Sequence, residues 1–107
     1  MKEIVLDTET TGISIKDGHR IVEIGCIELD NLIPTKNKFH CYLNPERKVS
    51  EKALEVHGYK DEFLAKQKKF SDIAHDFLEF IKDKKLIIHN AEFDLGHLNN
   101  ELVILGK

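Results

Sequence analysis

Ile4-Val5-Leu6 opens the chain as an apolar, β-branched run and predicts a buried strand over about residues 2–8. Asp17-Gly18 then signals a turn. Arg20 to Asp30 alternates Ile21, Glu23, Gly25 and Ile27 with Val22, Ile24, Cys26 and Glu28, which predicts a second strand over about 20–30. Asn31-Leu32-Ile33-Pro34 reads as a turn, and Lys38 to Leu43 as a third strand, with Lys36 and Lys38 guarding an edge. Short connections between these three strands imply an antiparallel meander. Ser50 is placed to cap a short helix over about 51–57, ended by His57-Gly58, and Asp61 to Ala65 reads as a further single turn. Phe70, Ile73, Ala74, Phe77, Leu78 and Ile81 recur at helical spacing and predict a helix over about 71–83, with Asp72 early and Lys82, Lys84 and Lys85 late, as the helix dipole favours. Leu86-Ile87-Ile88 is a fully apolar run and predicts a central strand over about 85–89. A helix between two strands implies a crossover, so this strand should lie parallel to the first. The last helix, about 92–105, would turn Leu95, Leu98, Leu102 and Leu105 to the core. The pattern is that of one α/β domain, with a mixed sheet of three antiparallel strands plus a parallel one and helices packed on it.

The 107 residues suit a single small domain, and 41% hydrophobic content supplies one core. No apolar run approaches the roughly 18 residues of a membrane span, and the chain enters its first strand without a leader, so the expectation is a cytoplasmic protein with no membrane partner. Cys26 and Cys41 fit no metal spacing and read as reduced, buried thiols. The net charge of −3 conceals an uneven distribution: residues 1–31 carry −4, residues 32–69 carry +4 and residues 70–107 carry −3. A basic surface beside an acidic site would have this pattern, as would an ordinary solvated surface.

The acids carry the chemistry. Asp7 and Glu9 lie two apart at the end of the first strand, so both project from one face. Two unpaired carboxylates there repel, and a hard divalent cation such as Mg²⁺ or Mn²⁺ removes that cost. Thr10-Thr11-Gly12 adds hydroxyls, backbone N–H groups and a turn suited to a phosphate or sugar. His89 to Asp94 repeats the arrangement after the parallel strand, with Asp94 in the first turn of a helix. Neighbouring parallel strands bring their carboxyl ends together, so Asp94 could reach the same cation. Taken singly, Asp94 also fits a helix-dipole role, and Asn90 a cap.

Together, DTETTG, the VHG of Val56 to Gly58, and HNAEFD resemble the DnaQ-like (DEDDh) 3′→5′ exonucleases, most closely the proofreading branch that accompanies a bacterial replicative polymerase. The resemblance extends through YLNPERKVSEKALEVHGYKDEFL and FDLGHLNNEL and covers essentially the whole chain. It implies a ribonuclease H-like fold and hydrolysis of the terminal phosphodiester of single-stranded or frayed DNA, with two Mg²⁺ or Mn²⁺ ions held by Asp7, Glu9 and Asp94. Thr8, Thr10, Thr11, Val56, His57, Asn90 and Phe93 would contact the terminal nucleotide. A Glu often lies five positions before the motif His in the family; Lys52 stands there in this chain, so that contact does not transfer. The family's general-base His and fourth metal-binding Asp are absent, and His97 and Glu101 are wrongly placed to replace them. The expectation is therefore the N-terminal part of one exonuclease domain, truncated at its C-terminus. Such a chain would be weak or inactive alone, would lack the polymerase-binding tail, and could dimerise through an uncovered face. The alternatives are a ribonuclease or repair nuclease of the same fold, or a non-catalytic scaffold fragment.

Overall fold

The computed structural model describes residues 2–106. Strands β1 (Lys2–Thr10), β2 (Ile21–Asp30), β3 (Ile33–Tyr42) and β4 (Lys85–Ile88) form one sheet in the order β3-β2-β1-β4. β1–β2 and β2–β3 are antiparallel and β1–β4 is parallel, the mixed sheet implied by the crossover. Helices α1 (Glu51–His57), α2 (Asp61–Leu64), α3 (Phe70–Ile81) and α4 (Ala91–Ile104) complete it, with a 3₁₀ turn at Ile15–Asp17.

Local signals explain most boundaries. The Ser50 hydroxyl accepts the Ala53 N–H at the start of α1, and Gly58, at φ 74°, ends it with a bond to the Leu54 carbonyl. The Asp72 carboxylate reaches back to the Lys69 N–H and fixes the start of α3. Phe70, Ile73, Ala74 and Phe77 of α3 pack with Ile4, Leu6, Ile24 and Cys26 on one face of the sheet, which forms the core. Cys26 and Cys41 are free thiols, and burial pushes them up to about 12 and about 11, so both stay protonated at neutral pH.

Four expectations need correction. β1 does not stop at Asp7-Thr8-Glu9 but runs through Thr10, with a register shift between Glu9 and Thr10. β3 begins at Ile33, not Lys38, because the reversal needs only Asn31 and Leu32, both at positive φ. Pro34 is tolerated within β3 because β3 is an edge strand. β4, expected to be central, has β1 as its single neighbour among the described residues. Leu95 is exposed rather than turned to the core; Leu98 is buried, and Leu102 and Leu105 are partly so.

The inward face of α4 is instead polar, with Asp94, His97 and Glu101 buried beside Leu98. Each finds a partner from a distant segment. Arg20 grips Glu101 through Nε and Nη2 at 2.8 and 2.6 Å, and Glu101 also accepts the Ile21 N–H at 3.2 Å. The fork geometry satisfies both charged groups, and Glu101 is only 2% exposed. His97 donates through Nε2 to the Ile13 carbonyl at 3.0 Å. Elsewhere, buried Glu28 is held by Lys84, Asn37 and Thr35, which lower its carboxyl to about 2.

The opposite face of the sheet is open. Ile27, Val5 and Ile87 stand in register across β2, β1 and β4 and are 43%, 38% and 38% exposed. Among the described residues, no helix is long and apolar enough to cross a membrane.

Because Arg20 and the Ile21 N–H both lose their partner, Glu101→Ala should destabilise the fold by about 3–5 kcal/mol. Chemical denaturation measures this, and a loss within the range of an ordinary surface substitution would show that the pair does not anchor α4.

Candidate active site

β1 carries its polar residues to the end of the sheet. Asp7 and Glu9 share the open face, opposite Gly25 and Glu23 of β2, while Thr8 and Thr10 point to the buried side. Asp94, in the first turn of α4, meets this strand end directly: the Thr8 hydroxyl donates to Asp94 Oδ1 at 2.7 Å. Asp7 folds back to accept the Thr8 backbone N–H at 3.0 Å. Thr8 therefore binds both acids, one through its side chain and one through its backbone.

Electrostatics link the carboxylates. Burial raises the Glu9 carboxyl above its ordinary value; Asp7, Glu23 and Asp94 push the same way, and His57 opposes them. Burial likewise raises Asp94, opposed by the Thr8 hydrogen bond and reinforced by Asp7. Among the described residues, no three His, Cys, Asp or Glu side chains close into a ready ligand set. The donor chemistry nonetheless fits a hard cation: these are carboxylate oxygens that disfavour one another's charge, and a divalent ion would reverse the sign of that interaction.

A cleft of about 390 Å³ opens beside the acids, between the strand end, the turn that follows it, α1 and α4. Glu9, Thr10, Val56, His57 and Phe93 line it, so residues from all three motifs share one wall system. His57 is fixed on both nitrogens: Nε2 donates to the Thr10 carbonyl at 3.1 Å, and Nδ1 accepts the Tyr59 N–H at 3.0 Å. Its ring also stacks on Tyr59, with centroids 4.8 Å apart. With both nitrogens engaged, His57 is built to position the cleft wall.

Thr11 lies behind the cleft and is fully buried. Its N–H goes to the Arg20 carbonyl, its carbonyl accepts from Ser50, and its hydroxyl accepts the Arg20 N–H and is hydrogen-bonded to His19 Nδ1. Thr11 therefore ties β1, β2 and α1 together. Asn90 is exposed at the start of α4, makes no side-chain cap and does not line the cleft.

Sequence reasoning missed His19. Its ring lies over Gly12, where a Cβ would come within 2.4 Å of it, so Gly12 is required for close approach rather than for a turn. Burial lowers the His19 imidazole below its ordinary value, and Arg47 adds to the effect. No short motif marks this contact, since His19 lies in the connection between the first two strands, seven residues after Gly12.

A mixed sheet with acids at the carboxyl end of its parallel pair, beside a cleft, is the architecture of ribonuclease H-like nucleases. The chain belongs to the exonuclease family, whose family model matches residues 4–107. It is 53% identical over 107 residues to the DNA polymerase III subunit epsilon of Rickettsia typhi, covering all of this chain and 47% of that protein. It is 45% identical over 110 residues to the subunit of the same name from Salmonella typhimurium, covering 99% of this chain and 45% of that one. The chain thus spans about half the length of the curated relatives it matches. Among solved structures, product-bound exonuclease I superposes with a TM-score of 0.81 at 16% identity, over 95% of this chain and 25% of that one, a likeness of fold. Exonuclease X in complex with 5′ overhanging duplex DNA gives a TM-score of 0.69 at 26% identity, over 85% of this chain and 50% of that one.

A carboxylate whose folded pKa is raised contributes stability that is fully present below its unfolded pKa and lost as pH rises through the folded value. Glu9 and Asp94 should therefore make the metal-free protein less stable from about pH 4 upward. Asp94→Asn should raise the metal-free melting temperature at pH 7 relative to wild type and do less at pH 4, and it should shrink the stabilisation by added Mn²⁺. Thermal melts at the two pH values, with and without Mn²⁺, test this; equal Mn²⁺ shifts in variant and wild type would separate Asp94 from the cation site.

Proposed function

We propose that this chain carries the acidic half of a 3′→5′ exonuclease centre that removes nucleotides from the end of single-stranded or frayed DNA. The observation that carries the reading is that Thr8 bonds both Asp7 and Asp94, one residue before Glu9, which lines a cleft shared by residues of all three motifs. The exonuclease family is divalent-metal dependent. Asp7, Glu9 and Asp94 would hold Mg²⁺ or Mn²⁺, two ions in the full arrangement, whose chemistry there is to lower the pKa of an attacking water and stabilise the leaving 3′ oxygen. The protein's own residues do the positioning. Thr8 orients two of the acids, His57 fixes the strand end through the Thr10 carbonyl, and Val56 and Phe93 offer apolar surface to a base and sugar.

The curated relatives named as epsilon subunits support a polymerase as the partner in the cell and the bacterial cytoplasm as the location. The in-register row Ile27, Val5 and Ile87 is the surface through which two copies would pair.

With Mn²⁺ under single-turnover conditions at excess chain, a 5′-labelled single strand should shorten slowly, one nucleotide at a time from its 3′ end, and Asp7→Ala should abolish the ladder. Cleavage that persists in Asp7→Ala, or that begins within the strand, would refute the reading. An RNA strand cut faster than DNA would move the assignment to a ribonuclease of the same fold. Sedimentation at rising concentration should reveal the dimer, and Val5→Glu should remove it; a monomer at every concentration rejects the pairing.

A further inference from the structure

The cleft contains a charge that the acid cluster does not explain. Among its lining side chains Lys52 is the sole lysine or arginine, and the carboxylates it shares the cleft with are Glu9 and Asp17. Lys52 sits in the first turn of α1, directly after Glu51. A cation there opposes the helix dipole, so the helix gains nothing from it. The Lys52 ammonium also joins no ion pair and no hydrogen bond among the described residues, whereas Arg20, Lys69 and Lys84 pair with Glu101, Glu46 and Glu28. Arg47, the nearest guanidinium to the turn, is engaged by the Asp17 and Lys48 carbonyls. Lys52 is thus an uncommitted, exposed ammonium on the wall of a cleft whose two carboxylates are Glu9 and Asp17.

A polyanionic strand entering that cleft meets the negative field of Glu9 and Asp17. A mobile ammonium on a four-carbon stem offsets that field and supplies a point charge to a phosphate without fixing base identity. We propose that Lys52 makes a direct charge contact with a backbone phosphate of the substrate strand, so that it contributes to strand affinity and not to metal binding. This rests on the reading of the chain as a nuclease acting on a nucleic-acid strand.

The test measures the salt dependence of strand binding. Anisotropy of a fluorescent oligothymidylate is titrated with the full chain in Ca²⁺ over a series of KCl concentrations. Loss of one phosphate contact to a single strand lowers the magnitude of the slope of log K against log salt by about 0.7. Lys52→Gln should show that reduction, Lys52→Arg should keep the wild-type slope, and Lys82→Gln, at the far end of α3, should leave it unchanged. Mn²⁺ affinity should be the same in Lys52→Gln and wild type. Strand binding with an unchanged slope in Lys52→Gln, or an equal reduction in Lys82→Gln, overturns this proposal while leaving the nuclease reading intact. Failure of the wild-type chain to bind any strand overturns both.

Discussion

The forked contact between Arg20 and Glu101 holds the site together. α4 presents Asp94, His97 and Glu101 inward, and a helix with that face cannot be retained by apolar burial alone. Arg20, immediately before β2, turns this liability into an anchor, because its guanidinium and the Ile21 N–H together satisfy the Glu101 carboxylate. One turn earlier on the same helix face, His97 secures the Ile13 carbonyl, and nearer the N-terminus Asp94 takes the Thr8 hydroxyl. The three bonds fix α4 in rotation and along its axis. Asp94, the acid of HNAEFD, therefore arrives at the end of β1 in a set orientation.

That orientation places like charges together. Thr8 relieves part of the cost through two hydrogen bonds, yet Glu9 and Asp94 still have their carboxyls pushed upward by burial and by each other's surroundings. Glu28 shows the contrast within the same fold: as buried as Asp94, it is met by Lys84, Asn37 and Thr35 and held low. Where structure alone is the purpose, the fold supplies a cation and two donors. At the end of β1, Asp7, Glu9 and Asp94 have no lysine or arginine ion-pair partner among the described residues.

The cleft beside the acids is rigid on the strand side and on the α1 side for a common reason. Thr11 bonds β1 to β2 and to the start of α1, and His57 returns from the end of α1 to the Thr10 carbonyl. The short helix is thus tied to the acid-bearing strand at both ends. The basic middle of the sequence, residues 32–69, supplies this wall, and Lys52 is the part of that charge that reaches the cleft.

The sequence by itself determined whatever depends on neighbours in the chain. Strand alternation, the apolar stripe of Phe70, Ile73, Ala74 and Phe77, the Ser50 cap and the left-handed Gly58 are local, and periodicity and capping chemistry expose them directly. The mixed pairing followed from short connections and one crossover, and the approach of Asp94 to the end of β1 from its place in the first turn after the parallel strand. Tertiary structure alone decided what depends on residues far apart. Leu95 looked like core and is not, because the Arg20–Glu101 pair, 81 residues apart, rotates α4 onto its polar side. The Asn31-Leu32 reversal and the continuation of β3 through Pro34 required an edge position that no local pattern reveals. Gly12 owes its identity to the His19 ring above it, and Thr8 its place between two acids to a helix that begins 83 residues later, at Ala91. Propensity acts over a few residues, whereas burial of charge is settled by whichever distant partner the fold brings within hydrogen-bonding reach.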